Sequence, residues 1–262
     1  MGAVVVLFAG VGWLVHAQLD RPPVSKPIPL TELQAGSISQ IRIEYREGEI
    51  ITLYKESHGW RISQPISVPA NDERVAQLLR LIKAERQDIQ GKELAGVQPG
   101  VPHFRVSFDD LELAFGGVEP ASGRRYVLMG KAVYLISDRD YQHAMVALAE
   151  LVSPLLLPAG FLPVQIIAPG VTMANGDPGW SDLADAWCRT RAFRVEGWSA
   201  ESKPIGEIIV RLEPAAEFHF EIIATEPELI LARHDIGMQY RLTRDQAKRL
   251  LPSSVMNSGH SP

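Results

Sequence analysis

Cysteine is nearly missing from this chain: Cys188 stands alone among 262 residues. An internal disulfide is excluded, and so is any metal site built on several thiolates. The one thiol sits in an apolar stretch, Ala186-Trp187-Cys188, where a packed side chain is the expectation. A basic excess is missing too. The 26 Lys and Arg are outnumbered by 31 Asp and Glu, for a net charge of −5. Little is left over to neutralise phosphates, so nucleic acid is not an expected partner. Charged residues make up 22% and hydrophobic ones 46%, a composition that excludes wholesale disorder and suffices for one large core or two ordinary ones.

Sequence signatures of chemistry are also missing. There is no Gly-x-Gly-x-x-Gly, no Walker loop, no His-Glu-x-x-His and no Gly-x-Ser-x-Gly. The histidines, His16, His58, His103, His143, His219, His234 and His260, lie far apart, and none pairs with another at metal-ligand spacing. Asp109-Asp110 lies between two alternating runs and reads as a hairpin turn. Asp138 and Asp140, like Asp182 and Asp185, read as residues at helix ends. No catalytic, metal or cofactor-binding residues are assigned, and the chain is expected not to be an enzyme.

What is present begins at the N-terminus. Residues 2–15 carry no charge, and extension to Leu19 gives a helix about 27 Å long, against a bilayer core of about 30 Å. Trp13 suits an interfacial anchor, and Pro22-Pro23 ends the run. The expectation is a transmembrane signal-anchor over 1–19. A cleaved signal peptide ending near Val15-His16-Ala17 is the alternative, and a buried core helix a third. No cysteine follows the run, which excludes a lipoprotein anchor. No Lys or Arg precedes it, while Arg21 and Lys26 follow. The positive-inside rule alone would place the body in the cytoplasm. A basic leader ahead of Met1 would reverse that, and extracytoplasmic placement is the expectation adopted. Residues 20–36 hold a Pro-rich spacer.

The rest reads as α+β: two similar units of mostly antiparallel sheet with packed helices, over 37–158 and 159–252, then a disordered tail over 253–262. In the first unit, alternation at Ile41, Ile43 and Tyr45, then Ile51 and Leu53, then Trp60 and Ile62, predicts a three-stranded meander. Asn71 is an expected N-cap for a helix with Val75, Leu78, Leu79 and Ile82 on one face. Hairpins follow at 104–115 and 126–136, with Gly116-Gly117 between them. A helix capped by Asp138 is expected to line up Tyr141, Met145, Leu148 and Val152. In the second unit, strands at 164–168 and 171–174 precede Gly179-Trp180, a helix capped by Ser181, two further hairpins, and a helix opened by the capping box Thr243-Arg244-Asp245-Gln246. Gly59-Trp60 and Gly179-Trp180 are taken as matching landmarks of a duplication.

Five residues form a candidate interaction surface: Trp60, Arg124, Arg125, Tyr126 and Trp180. The tryptophans suit aromatic platforms, although packing beneath the following helix is the commoner fate of such rings. The arginines suit an acidic partner, although one of them paired with a nearby carboxylate at a strand entry fits equally.

Several of these runs resemble a known family. Ile41-Arg42-Ile43-Glu44, Gly59-Trp60-Arg61-Ile62, Pro65, and Pro69-Ala70-Asn71-Asp72 leading into Val75-Ala76-Gln77-Leu78-Leu79 resemble the bacterial domain of unknown function 4340. So do Phe115-Gly116-Gly117, Gly123-Arg124-Arg125-Tyr126-Val127 and Val133-Tyr134-Leu135-Ile136. The likeness spans about residues 38–157, and the second half matches it less well. It implies a single-pass protein of the bacterial inner membrane with its folded part in the periplasm. It also implies an accessory role beside ABC-type export systems similar to those of gliding motility. It supplies no catalytic residues. Two other readings stand beside it: a ligand-binding module using the cleft between the units, and a hydrolase whose active site assembles from distant residues, with His103 or His219 beside a carboxylate.

Overall fold

The structure, a computed structural model, describes residues 27–89, 99–199, 203–213 and 216–251. The expected anchor over 1–19, residues 20–26 of the spacer and the tail over 253–262 lie outside the described residues; the rest of the expected spacer is no free linker, because Ile28 and Pro29 pair with Arg86 and Glu85 and Leu30 is fully buried. No helix among the described residues is long and apolar enough to cross a membrane.

The chain is α+β with two largely antiparallel sheets. Strand β1 (Ile28–Pro29) is followed by the expected meander, β2 (Gln40–Tyr45), β3 (Ile50–Glu56) and β4 (Gly59–Gln64), and then by β5 (Val68–Pro69). Helix α1 (Asp72–Leu79) buries Val75, Leu78 and Leu79, while Ile82 lies buried in the 3-10 turn beyond it. A short strand, β6 (Glu85–Asp88), leads on to β7 (Phe104–Phe108), β8 (Leu111–Val118), β9 (Arg125–Met129) and β10 (Ala132–Ile136). Two short helices close the first half, α2 (Asp138–Ala144) and α3 (Leu148–Leu151). The second half holds β11 (Leu162–Ala168), β12 (Val171–Ala174), α4 (Trp180–Arg189), β13 (Arg194–Gly197), β14 (Gly206–Glu213), β15 (Ala216–Ala224), β16 (Leu229–Arg233), β17 (Met238–Leu242) and α5 (Arg244–Leu250).

The two halves share one connectivity. The first sheet runs β1-β6-β10-β9-β8-β7-β2-β3-β4-β5 and the second β12-β11-β14-β15-β16-β17-β13. Without β1, β4 and β5, the first reads β6-β10-β9-β8-β7-β2-β3. The second, from its far end, reads β13-β17-β16-β15-β14-β11-β12. Each half thus holds a hairpin, a helix, a short strand, and a four-stranded meander. The meander's first strand lies against the hairpin's first strand, and its last strand pairs with the short one. The Gly-Trp landmark is not part of this repeat. Gly59-Trp60 starts strand β4, which has no counterpart in the second sheet, whereas Gly179 is the left-handed N-cap of α4 and Trp180 its first residue.

Other local expectations need correction. Asn71 holds the N-cap position of α1 but makes no side-chain cap bond. Asp72 instead reaches back to accept the Trp60 N–H at 3.0 Å. The cap of α2 is Ser137, not Asp138. The single helix expected over 138–152 is broken at Met145, which is exposed, so its apolar stripe is split between α2 and α3. At α4 the cap is Gly179 rather than Ser181. Gly116 and Gly117 lie inside β8, because the strand runs against the Pro99 carbonyl: a Cβ at Gly116 would stand 2.1 Å from that oxygen. The Asp109-Asp110 turn and the Thr243–Gln246 capping box form as expected. Asp109, at φ 50°, accepts the Ser39 and Gln40 N–H groups at 3.1 and 2.8 Å.

One apolar cluster runs through both halves, from Ile41, Phe104 and Leu151 in the first to Trp187, Phe220 and Tyr240 in the second. The Trp187 indole N–H donates to the Leu250 carbonyl at 3.2 Å, which ties α4 to the end of α5. The halves are stitched by backbone as well. Ala192 N–H donates to Pro154 at 2.8 Å, and Leu155 bridges Arg191 in antiparallel sense.

Candidate functional site: a groove at the seam

Part of the seam is filled, where Val152, Leu156 and Leu157 meet Tyr240 and Arg233 around a void of only about 10 Å³. Beside it the seam opens into a groove of about 740 Å³. One wall comes from the start of α1 and from α3, the other from residues 191–197 including β13.

Strand β13 is a short, mostly polar segment, Arg194-Val195-Glu196-Gly197, held on one side by β17. Glu196 makes that pairing work. Its register would set Arg194 directly opposite Arg241, a repulsive pair. Glu196 accepts bonds from Arg241 and Gln239, and Arg241 also pairs with Glu228. Burial alone would raise the Glu196 carboxyl, but these bonds and the Arg241 charge hold it below the usual carboxylate range. Phe193 and Arg194 share Arg241 as their partner, the former through an N–H bond of 3.1 Å, which makes a bulge at the start of the strand. The Phe193 ring is left 55% exposed at the groove.

Of the charged side chains at the groove, all but Arg194 are paired. Arg74 meets Glu150, and Arg191 reaches Glu73 at 3.2 Å, joining the two halves. Asn71 Oδ1 is buried in the wall and accepts no hydrogen bond, while its Nδ2 donates to Glu150 O at 3.4 Å.

The five residues singled out from sequence do not assemble here, and none lines this groove. Trp60 and Trp180 are 9% and 8% exposed, and their rings belong to the core, not to an aromatic platform. Arg125 pairs with Asp138 at 2.6 Å, donates to Gly116 O at 2.8 Å and stands 3.7 Å from the Tyr141 ring centre. It anchors a strand entry. Arg124 and Tyr126 remain half-buried.

His219 is one of the two histidines expected beside a carboxylate, and it has two: Nδ1 lies 2.8 Å from Glu207 and Nε2 2.8 Å from Glu217. A neutral ring donates through only one nitrogen, so this geometry is satisfied by the imidazolium. The bonds His219 donates to Glu207 and Glu217 outweigh partial burial and raise its pKa. The ring stands 53% exposed on an open face of β14 and β15, away from the groove. His103 has Arg46, not a carboxylate, 3.0 Å from its Nδ1. Among the described residues no group of three His, Cys, Asp or Glu is placed to hold a metal ion.

The sequence does not announce the groove residues Phe193 and Val195. The signal near them is the basic cluster Arg189, Arg191 and Arg194, which is common on any solvated strand.

No family model, curated protein or solved structure matches the chain.

Proposed function

We propose that the protein is a membrane-tethered envelope subunit without catalysis of its own, which docks another envelope protein through the seam groove. The groove carries this reading: an exposed phenylalanine and an edge strand, framed by charges of which all but Arg194 are already paired. Such a surface suits recognition of a protein better than proton transfer, which wants convergent groups with tuned pKa values. The apolar run over 2–19 and the Pro-rich stretch after it support the tether. The resemblance to the domain of unknown function 4340 supports the choice of partner: a permease or auxiliary subunit of an ABC-type export system. The folded part then stands in the periplasm of a bacterial inner membrane.

The test is affinity recovery of the full chain from detergent extracts after mild crosslinking. Co-recovery of a permease or auxiliary subunit is expected, and its loss when Phe193 is changed to Glu. Recovery of the bait alone contradicts the proposal.

A small-molecule site in the same groove is the second reading, favoured by its place at the seam between the two halves.

A further inference from the structure

We infer that Asn175-Gly176 is a site of spontaneous covalent modification: deamidation through a cyclic imide there unties the turn that holds the end of strand β12. Neither the groove nor an export partner takes part.

Of the three asparagines, Asn71, Asn175 and Asn257, Asn175 alone precedes a glycine. It stands exposed in the turn after β12. Asp177 N–H donates to Ala174 O at 3.1 Å, which closes that turn with Asn175 and Gly176 at its tip. Gly176 has φ 103°, and a Cβ built on it would meet nothing within 4 Å. Among the described residues no acceptor takes the Gly176 N–H. The Asn175 side chain is thus exposed beside a backbone nitrogen that is neither hydrogen-bonded nor flanked by a side chain of its own. Asn71 is the contrast within the same fold. Its Nδ2 donates to Glu150 O at 3.4 Å, its Oδ1 is buried, and the next residue is Asp72, the first of α1.

The chemistry needs only water. The Gly176 nitrogen, once it has given its proton to solvent, attacks Asn175 Cγ. The N–Cγ bond forms, the Cγ–Nδ2 bond breaks, and Nδ2 leaves as ammonia with a proton taken from water. Ring closure is intramolecular, so no second reactant has to be positioned. Water then opens the imide. Opening at Cγ gives aspartate. Opening at the Asn175 backbone carbonyl gives isoaspartate, with the chain running through Cβ and Cγ. Nothing is oxidised or reduced.

Either product sets a new negative charge beside Asp177, and isoaspartate also lengthens the backbone of the turn. That turn depends on a close fit. Ala174 N–H donates to Asp177 Oδ2 at 2.7 Å, in addition to the bond its carbonyl accepts. These two bonds hold the last residue of β12, which among the described residues ends its sheet on that side. A longer and more charged turn draws Asp177 away from Ala174.

The test is incubation of the full chain in lipid nanodiscs in mildly alkaline buffer, followed by peptide mapping and by methylation with an L-isoaspartyl methyltransferase. A mass gain of about 1 Da is expected at Asn175 and not at Asn71, with methyl transfer to the same peptide. Conversion should quicken as pH rises, because the attacking nitrogen must first lose its proton. Asn175→Gln, whose longer side chain disfavours the ring, should lose both signals. In the converted protein the Ala174 amide should exchange about tenfold faster. Absence of conversion in the full chain overturns the inference, most plainly if a capped peptide of residues 172–179 converts alongside it. Equal conversion at Asn71 also overturns it, since that marks unfolding as the route. So does isoaspartate that persists in Asn175→Gln. Unchanged exchange at Ala174 overturns the loosening of β12.

Discussion

Arg191 and Glu73 meet at 3.2 Å across the seam, a contact between the two halves that lies beside the groove. Both side chains are exposed, at 49% and 78%, so the pair marks the seam more than it holds it. Exposed ion pairs contribute from nothing to about 1 kcal/mol. Buried apolar contacts do the holding, through residues such as Leu151 and Val152. Arg191→Ala should therefore shift chemical unfolding by less than about 0.5 kcal/mol. Leu151→Ala, which empties a fully buried site, should cost about 2–5 kcal/mol. Equal effects of the two in urea titrations would contradict this division.

His219 makes stability depend on pH in a definite direction. Its folded pKa is raised above the ordinary 6.5 by Glu207 and Glu217, against partial burial. A raised pKa gives a contribution that is complete below the unfolded value and is lost as pH rises through the folded one. Arg211 also faces this cluster, 2.8 Å from Glu217, and keeps its charge throughout. The melting temperature should fall as pH rises above 6.5, and His219→Gln should flatten that slope. A slope unchanged by the substitution would rule His219 out as its source.

Asp109 acts with the opposite sign. Slight burial works against it, yet the bonds from Ser39 and Gln40 lower its pKa. Its contribution is therefore present above the unfolded value and lost as pH falls through the folded one. Asp109→Ala removes these bonds and leaves a residue at φ 50° that tolerates it less well, so a loss of about 1 kcal/mol is expected in urea titrations. Asp109→Gly restores the backbone freedom but not the bonds and should recover only part.

Gly59 and Gly48 separate backbone strain from collision. Both have positive φ, 128° and 90°. A Cβ at Gly59 would also stand 2.9 Å from the Asp72 carboxylate that receives the Trp60 N–H, whereas one at Gly48 meets open space. Gly59→Ala should cost about 1–3 kcal/mol and more than Gly48→Ala. The reverse order would contradict the packing of the β4 turn against α1.

The fold is legible in the sequence where the local signals are strong. The alternation of Ile41, Ile43 and Ile51, or of Ile208, Val210 and Leu212, is two-fold and half-buried, and those strands form as read. The region 138–152 reads as one helix because Tyr141 and Val152 are both buried and at helical spacing, although the chain breaks between them at Met145. The two sheets share a strand order, but the sequence landmarks taken for a repeat do not belong to it. Gly59-Trp60 and Gly179-Trp180 look alike, yet they start a strand and a helix. The shared topology shows in the pairing of β6 with β10 and of β13 with β17. Strands β6 (Glu-Arg-Gln-Asp) and β13 (Arg-Val-Glu-Gly) hold one aliphatic side chain between them, too little for a hydrophobic period, and long-range pairing makes them strands. The groove is hidden from sequence for the same reason, since β13 is its wall. Trp60, Trp180 and Arg125 stand out as distinctive residues, and each is used up inside the fold.

Localisation of the full-length chain in its host tests the central proposal most directly, by alkaline carbonate extraction together with protease treatment of intact spheroplasts. The account predicts that the chain stays in the membrane pellet and that its folded part is reached by protease added outside. Release into the soluble fraction without processing, or protection until the inner membrane is opened, would contradict it.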